Sequence, residues 1–406
     1  MNTPVRPFIN APAETIKIAM IETLSGEFAP TGQNLLKSYQ LFTEIANQEN
    51  WTGAGHAIEV VGFDSKGSQQ EALALLQVAI GRGYHYVAQG NGSHITAALI
   101  DAISRHNERN PGKEVLLLNH SAIDPDLTNE KCSFWHFRFD AHSDMKMEAL
   151  ASLMESNPNI KKVYIIGQDY TLGHQVSRAA KEYLKRKRPD IEIVGDELHP
   201  VAQMKDFSPY VARIKASGAD TVVTGNWDSD LSLLIKAARE AGLQAHFYTY
   251  YAGMSAGVTA AMGASEVGKV TQVGNWHANI TNFPGKEMQE AYKERYKDNF
   301  YATTAYTLIA MLSKAVKEAK STDPVKVAFA LEGIKIQGFA GGEVEMRAAD
   351  HQVQGTLFIS TWAAVNGRDI KYDEADTGYG WKTDRIIPPS LVAQPTRCQM
   401  KRPARQ

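Results

Sequence analysis

Short loops that combine glycine with hydroxyl, amide or aromatic side chains recur along the chain, and these residue types could bind a small ligand. One loop, Gly90-Asn91-Gly92-Ser93, has two glycines that allow a ligand to approach the backbone closely. The Ser93 hydroxyl and the N–H groups that follow it could hold a carboxylate. Ser93 could also simply cap the next helix, and the two roles are compatible. Loops of the same kind contain Phe28, His120, Ser121, Ala122, Tyr170, Trp227, Tyr251 and Gly253.

Two of these loops also suggest enzymatic chemistry, but each pattern is incomplete. The first glycine-rich loop resembles half of a dinucleotide fingerprint, and Ile95 stands where the third glycine should be, so we expect no cofactor. Gly253-Met254-Ser255-Ala256-Gly257 matches the nucleophile elbow of serine hydrolases. Asp298 and His351 would keep the chain order of a hydrolase triad, so hydrolysis stays a remote alternative.

Composition excludes several other classes of function. The 43 Lys and Arg nearly balance the 45 Asp and Glu, which leaves no basic surface for nucleic acid. The apolar runs are far shorter than the roughly 20 residues that span a bilayer, so we expect no membrane insertion. The 12 histidines form no metal-ligand spacing, and no metal is expected. His120 could touch a ligand or serve only the fold.

The loops must be positioned by the elements that precede them. Brief β-branched runs alternate with amphipathic segments from Glu14 onward, and the same order restarts after Asp144. This alternation predicts an α/β fold of two doubly wound parallel-sheet lobes, with helices on both faces. In such sheets ligands bind beyond the carboxyl ends of the strands, where these loops lie. The predicted strands are Ile16–Ile21, Ile58–Phe63, Tyr86–Ala88, Val115–Leu118, Lys162–Ile166, Ile191–Val194, Thr221–Thr224, His246–Tyr251, Gly342–Met346 and Thr356–Trp362.

Four segments between about Ile16 and Trp362 resemble the type I periplasmic solute-binding proteins of ABC importers, in the leucine/isoleucine/valine-binding family. They read IETLSGEFAPTGQNLLKSYQLFTEIAN, VYIIGQDYTLGHQVSRAAKEYLK, KDFSPYVARIKASGADTVVTGNWDSDLSLLIKAAREAGL and GFAGGEVEMRAADHQVQG. The resemblance implies a non-catalytic protein whose lobes close over a ligand by a hinge motion. Three crossings would join the lobes, near Phe139–His142, Trp276–Asn279 and His351–Gln354.

The resemblance also sets expectations for domains, location and partners. The N-terminal lobe would comprise residues 14–141 and 280–350, and the C-terminal lobe residues 142–276 and 354–370. Residues 1–13 are expected to be an extended lead-in, and residues 371–406 a peripheral tail. We expect a periplasmic monomer that serves a membrane permease, with its signal peptide absent from this sequence. In an oxidising compartment Cys132 and Cys398 could form one bridge, which would hold the tail to the first lobe.

By the same resemblance, Ser93 and the Ser121-Ala122 pair would hold a ligand carboxylate, while Tyr170 and Trp227 would contact the rest of the ligand. Asn91, His120, Phe28, Tyr251 and Gly253 complete the candidate site.

The chain departs from the family in the loop after the last strand of the second lobe. Amino-acid binders carry an acid there that pairs with the ligand's α-ammonium, whereas this chain reads Tyr251-Ala252-Gly253-Met254-Ser255. Asp228 or Asp169 could substitute for that acid. Because a buried ammonium without a partner is costly, we predict a carboxylate ligand without an α-ammonium, and specifically an aromatic acid. Branched-chain or other amino acids, and an amide- or amino-acid-sensing regulator of the same fold, are the alternatives.

Overall fold

The computed structural model describes residues 13–255 and 257–405, so the predicted lead-in lies almost entirely outside the described residues. Its strands form two sheets, one in each lobe, and the predicted two-lobed α/β fold is confirmed. The strands are β1 (Ile16–Glu22), β2 (Ile58–Asp64), β3 (Tyr86–Gln89), β4 (Leu116–Asn119), β5 (His136–Arg138), β6 (Lys162–Gln168), β7 (Glu192–His199), β8 (Thr221–Thr224), β9 (His246–Thr249), β10 (Val270–Gly274), β11 (Lys335–Gln337), β12 (Glu343–Arg347), β13 (Gln352–Gln354), β14 (Leu357–Ala364) and β15 (Tyr379–Ile387).

The centre of each sheet is parallel, as predicted, but one edge of each sheet is antiparallel. The first sheet has the order β11-β12-β13-β5-β4-β3-β1-β2, and the second has the order β15-β14-β10-β9-β8-β6-β7. Strands β11, β12 and β13 follow one another through short connections. Such connections join antiparallel neighbours, because a parallel pair needs a longer crossover.

Helices cover both faces of the sheets, and each face buries an apolar core of its own. Among the helices of the described residues, none is long and apolar enough to cross a membrane. Helix α2 begins after Ser68, whose Oγ caps it by accepting a hydrogen bond from the Glu71 N–H at 3.2 Å. The helices are α1 (Ala29–Gln48), α2 (Gln69–Gly81), α3 (Ser93–Arg109), α4 (Ser143–Glu155), α5 (Thr171–Lys187), α6 (Ser208–Ala216), α7 (Asp228–Glu240), α8 (Lys286–Tyr296), α9 (Thr303–Ala319) and α10 (Pro324–Leu331).

The chain passes between the two sheets at three places before the tail. It leaves the first lobe between β5 and α4, returns between β10 and α8, and leaves again between β13 and β14. The third passage comprises only residues 355 and 356, because β13 still belongs to the first sheet. These passages position the loops at the strand ends of one lobe opposite those of the other.

The prediction of a peripheral tail at residues 371–406 is wrong for β15. This strand pairs with β14 along its whole length, and Trp381 packs against Trp362 with ring centroids 5.1 Å apart. Lys382, Asp384 and Arg385 interrupt the apolar pattern by which a strand is recognised in a sequence. Charged side chains are nevertheless typical of a solvent-facing edge strand. The tail therefore completes the second sheet.

After β15 the chain returns to the first lobe, which makes a fourth connection between the lobes. Cys398 forms a disulfide with Cys132, with the Cα atoms 5.7 Å apart. Arg397 pairs with Glu130 at 2.6 Å beside it. The bridge that the sequence allows is thus present, and it fastens the end of the chain to the first lobe.

Candidate ligand-binding site

A cavity lies between the lobes at the carboxyl ends of their parallel strands. In the closed arrangement the space inside it is small, and it lies where ligands bind in sheets of this kind. Both lobes contribute to its lining. The predicted residues that line it are Asn91, Ser93, Ser121, Ala122, Tyr170, Trp227 and Tyr251. Residues that line it without having been predicted include Thr31, Asn34, Asp140, Lys146, Leu172, Met254, Ser255, Tyr301 and Thr304.

His120 does not line the cavity, because it is fully buried behind the glycine-rich loop. Its Nε2 lies 2.8 Å from Glu22 Oε1, and its Nδ1 lies 2.9 Å from the Tyr39 hydroxyl. The same Glu22 oxygen accepts hydrogen bonds from the N–H groups of Gly90 at 2.6 Å and Asn91 at 2.9 Å. Glu22 therefore occupies two N–H groups of the loop and fixes its position. His120, which was predicted to contact the ligand, instead supports the loop through its contact with Glu22.

Ser93 does not act as the helix cap, since the cap position of α3 is Gly92. Gly92 has φ +101°, a conformation that favours glycine. Ser93 is the first residue of α3, and its Oγ accepts a hydrogen bond from the Asp124 N–H at 3.3 Å. That contact uses an oxygen lone pair, so the Ser93 O–H remains able to donate into the cavity.

Asn91 supplies a second donor. Ser121 Oγ donates to Asn91 Oδ1 at 3.1 Å, which orients the amide, and Asn91 Nδ2 is buried with no hydrogen-bond partner among the described residues. A buried donor without a partner is unfavourable, so this group is suited to an acceptor on a ligand. The backbone N–H groups of Ser121 and Ala122 already have an acceptor within the protein, because both donate to Asn119 Oδ1, at 3.1 and 2.8 Å. They are therefore not free to hold a ligand carboxylate.

Tyr170, Trp227 and Tyr251 of the second lobe form one wall of the cavity, which we call the aromatic wall. Trp227 Nε1 donates to the Tyr170 hydroxyl at 3.0 Å, which fixes the two rings relative to each other. Tyr251 also lines the cavity, whereas its neighbour Tyr250 is fully buried in the core. Burial raises the pKa of Tyr170 and of Tyr251, so both hydroxyls stay protonated at neutral pH.

Phe28 and Gly253 lie outside this lining. Phe28, from the first lobe, packs on Trp227 with the ring centroids 4.2 Å apart, and therefore contacts the aromatic wall rather than the cavity. A Cβ at Gly253 would meet the Gln272 side chain at 2.6 Å, which shows that this residue faces the sheet. Its neighbours Met254 and Ser255 reach the cavity instead.

The lobes are closed over the cavity and are joined by polar contacts as well as by the aromatic pair. Thr31, on α1, donates its N–H to Asp228 Oδ2 at 3.3 Å and its hydroxyl to the same oxygen. Burial raises the pKa of Asp228 to about 6. Asp228 is thus engaged in joining the lobes, and Asp169 is exposed and pairs with His174 at 3.2 Å. Neither is free to replace the missing acid.

Lys146 and Asp140 form an ion pair in the cavity wall, with Lys146 Nζ 3.1 Å from Asp140 Oδ2. Both side chains are buried, and Asn275 Nδ2 donates to the other Asp140 oxygen at 2.9 Å. The sequence does contain a signal for Lys146: it shares one face of α4 with Ala149 and Leu150, which are both buried. A lysine on an apolar helix face points to a specific partner.

Among the described residues, no histidine side chain is hydrogen-bonded to the serine of the elbow pattern. Ser255 Oγ accepts a hydrogen bond from the Asp228 N–H at 3.0 Å. His351 lies in the first lobe, where its Nε2 is 2.7 Å from Glu332 Oε1. Within residues 13–255 and 257–405, no group of three or more His, Cys, Asp or Glu side chains could hold a metal ion.

Two lobes that close over a cavity with hydrogen-bond donors on one wall and aromatic rings on the other define a solute-binding protein. The family model for periplasmic binding proteins matches residues 15–367. The chain belongs to this family, in agreement with the resemblance seen in the sequence. It is similar to the Leu/Ile/Val-binding protein homolog 4 of Brucella abortus, with 32% identity covering 97% of this chain and 94% of that protein.

Solved structures give the same result. The closed leucine-, isoleucine-, valine-, threonine- and alanine-binding protein of Brucella ovis is similar with a TM-score of 0.84 and 30% identity, covering 96% of this chain and all of that one. An ABC transporter solute-binding protein of R. palustris in complex with benzoate has a TM-score of 0.80 at 16% identity, covering 95% and 99%, and shares the fold. The chain is an ABC solute-binding protein of the Leu/Ile/Val type and not an enzyme.

Proposed function

We propose that this protein is a periplasmic receptor that captures a small aromatic acid without an α-ammonium and delivers it to the membrane permease of an ABC importer. The observation that carries the proposal is the charge of the cavity wall. Asp140 is the acidic residue that lines the cavity among the described residues, and its carboxylate is paired with Lys146 at 3.1 Å. An α-ammonium would have to compete with Lys146 for that carboxylate, at a cost in desolvation.

The other walls suit a flat carboxylate. The Ser93 hydroxyl and Asn91 Nδ2 are donors from the first lobe, and hydrogen bonds to a charged acceptor are stronger than those between neutral groups. Trp227 and Tyr170 offer rigid rings from the second lobe. A ligand that contacts both walls would stabilise the closed form, which is the form that the receptor presents to its permease.

Branched-chain or other amino acids are the second candidate, because the similar Brucella ovis protein is a leucine-, isoleucine-, valine-, threonine- and alanine-binding protein and the Brucella abortus relative is a homolog of Leu/Ile/Val-binding proteins. One feature of the cavity agrees with this candidate. Asn34 Oδ1 lines the cavity and is buried with no partner among the described residues, so it could accept a hydrogen bond from an ammonium or a hydroxyl. A neutral amide oxygen compensates a buried charge less well than a carboxylate, and for that reason amino acids rank second.

Thermal unfolding in the presence of benzoates, cinnamates and amino acids tests the proposal. A ligand at 100 times its Kd stabilises the folded protein by about 2.7 kcal/mol, which raises the melting temperature measurably. We expect at least one aromatic acid to do so, and we expect the shift to shrink in Ser93→Ala, which removes one donor. If leucine shifts the melting temperature and no aromatic acid does, the proposal is wrong.

A further inference from the structure

Lys146 is a buried cation that is only partly satisfied by the protein. Its ammonium carries three N–H groups, and the acceptor it contacts among the described residues is Asp140 Oδ2. The Tyr251 ring lies 5.2 Å from Nζ and gives a second favourable contact through its π face. At least one N–H group is therefore left for the cavity that the side chain lines.

A purely structural role would not explain this arrangement. Buried ion pairs with a purely structural role can often be replaced by apolar side chains of similar volume without loss of stability. Here the pair instead stands at the cavity wall, and the same cavity contains the unpartnered Asn91 Nδ2 on the opposite lobe. Two buried donors on different lobes call for acceptors at two places on one ligand.

We infer that Lys146 donates a hydrogen bond to a second oxygen function of the ligand, so that the receptor selects acids that carry a hydroxyl, carbonyl or second carboxylate group away from the carboxylate held by Ser93 and Asn91. The inference rests on the proposed function, because it presumes that a carboxylate occupies the first-lobe donors. Asp140 holds the ammonium in place and keeps the pair neutral before the ligand enters. Because Lys146 and Asn275 already occupy the two Asp140 oxygens, a ligand ammonium finds no free carboxylate there, which adds to the selection against amino acids.

Isothermal titration of a matched ligand set tests the inference. The set contains benzoate, 3- and 4-hydroxybenzoate, and benzene-1,3- and benzene-1,4-dicarboxylate. We expect the best substituted acid to bind the wild-type protein at least about tenfold more tightly than benzoate, as one hydrogen bond to a charged donor would give. In Lys146→Met this preference should fall to within about twofold, because methionine keeps the length of the side chain and removes the donor.

Two further variants keep the result interpretable. Lys146→Met leaves Asp140 as an unpaired buried charge, so the double variant with Asp140→Asn removes both charges and should fold while still lacking the preference. Lys185→Met changes an exposed lysine of the same lobe and should keep the wild-type preference.

Each outcome decides between the two proposals. If the acids bind but the wild-type protein shows no preference, or if the preference survives in both Lys146 variants, the inference is overturned and the proposed function stands. If leucine binds and none of the acids does, the proposed function is wrong and the inference falls with it.

Discussion

Removal of the Trp227 side chain should weaken ligand binding far more than it weakens the fold. Trp227 lies between the lobes and makes three contacts: the Phe28 ring of the first lobe, the Tyr170 hydroxyl of its own lobe, and the cavity. The hydrogen bond to Tyr170 lies within one lobe and persists when the lobes open, so its loss costs stability of about 0.5–1.5 kcal/mol. The contact with Phe28 exists only when the lobes are closed, and the contact with a ligand needs an occupied cavity.

Those two contacts set the expected loss of affinity. An aromatic pair contributes about 0.5–1.5 kcal/mol, and the tilted Phe28–Trp227 pair plus a ligand ring packed on Trp227 therefore give about 1–3 kcal/mol. This corresponds to a loss of affinity between roughly fivefold and 150-fold. Phe28→Ala is the matched control, because it removes the aromatic contact between the lobes and leaves the cavity lining intact. It should lose only about twofold to tenfold.

The assay is isothermal titration with the tightest acid found by thermal unfolding, together with the melting temperature of each ligand-free variant. Tyr250→Ala gives the scale for damage to the core, since Tyr250 is fully buried within the second lobe. The reasoning is refuted if Trp227→Ala binds the acid as well as the wild-type protein does. It is equally refuted if ligand-free Trp227→Ala loses as much stability as Tyr250→Ala, because Trp227 would then be a core residue.

Three further predictions concern closure, the tail and the glycine-rich loop. Because burial raises the pKa of Asp228 to about 6, above roughly 3.9 for an exposed aspartate, its contribution to the closed form is complete below about pH 4 and is lost as pH rises through about 6. Ligand affinity should thus rise about tenfold from pH 7 to pH 5. Asp228→Asn should remove that dependence on pH. A wild-type affinity that does not change with pH would contradict the role of Asp228 in closure. Thiol titration of the native protein should find Cys132 and Cys398 unreactive, and two reactive thiols would disprove the disulfide. Reduction should lower the free energy of unfolding by up to about 5 kcal/mol, since the bridge closes a long loop. Glu22→Ala should lower affinity at least tenfold by leaving the Gly90 N–H without its acceptor, while Glu22→Gln should restore most of it; equal loss in both variants would mean that the loop does not depend on this acceptor.

The sequence was most informative about features that depend on local order. Alternating strands and helices predict the two lobes, and the rule that ligands bind beyond the strand ends predicts the loops that contain Asn91, Ser93 and Trp227. These loops do meet at one cavity. The edge strand β15 escaped prediction because three of its nine residues are charged, and only its pairing with β14 reveals it.

Residues whose roles depend on the order of the strands could not be found in the same way. Glu22 ends β1, and it reaches Gly90 because β1 and β3 are parallel neighbours in a register that pairs Met20 with Ala88. The sequence of neither strand alone predicts this pairing register. Lys146 likewise gains its meaning only when α4 and the first passage between the lobes meet at the cavity wall.

The central claim is that the ligand carries a carboxylate but no α-ammonium, and one pair of ligands tests it most directly. Phenylalanine and 3-phenylpropanoate have the same carbon skeleton and differ only in the ammonium group. Isothermal titration of the wild-type protein should give tighter binding for 3-phenylpropanoate, because the carboxylate of Asp140 is already paired with Lys146. Tighter binding of phenylalanine would contradict the account and would point to an amino-acid receptor.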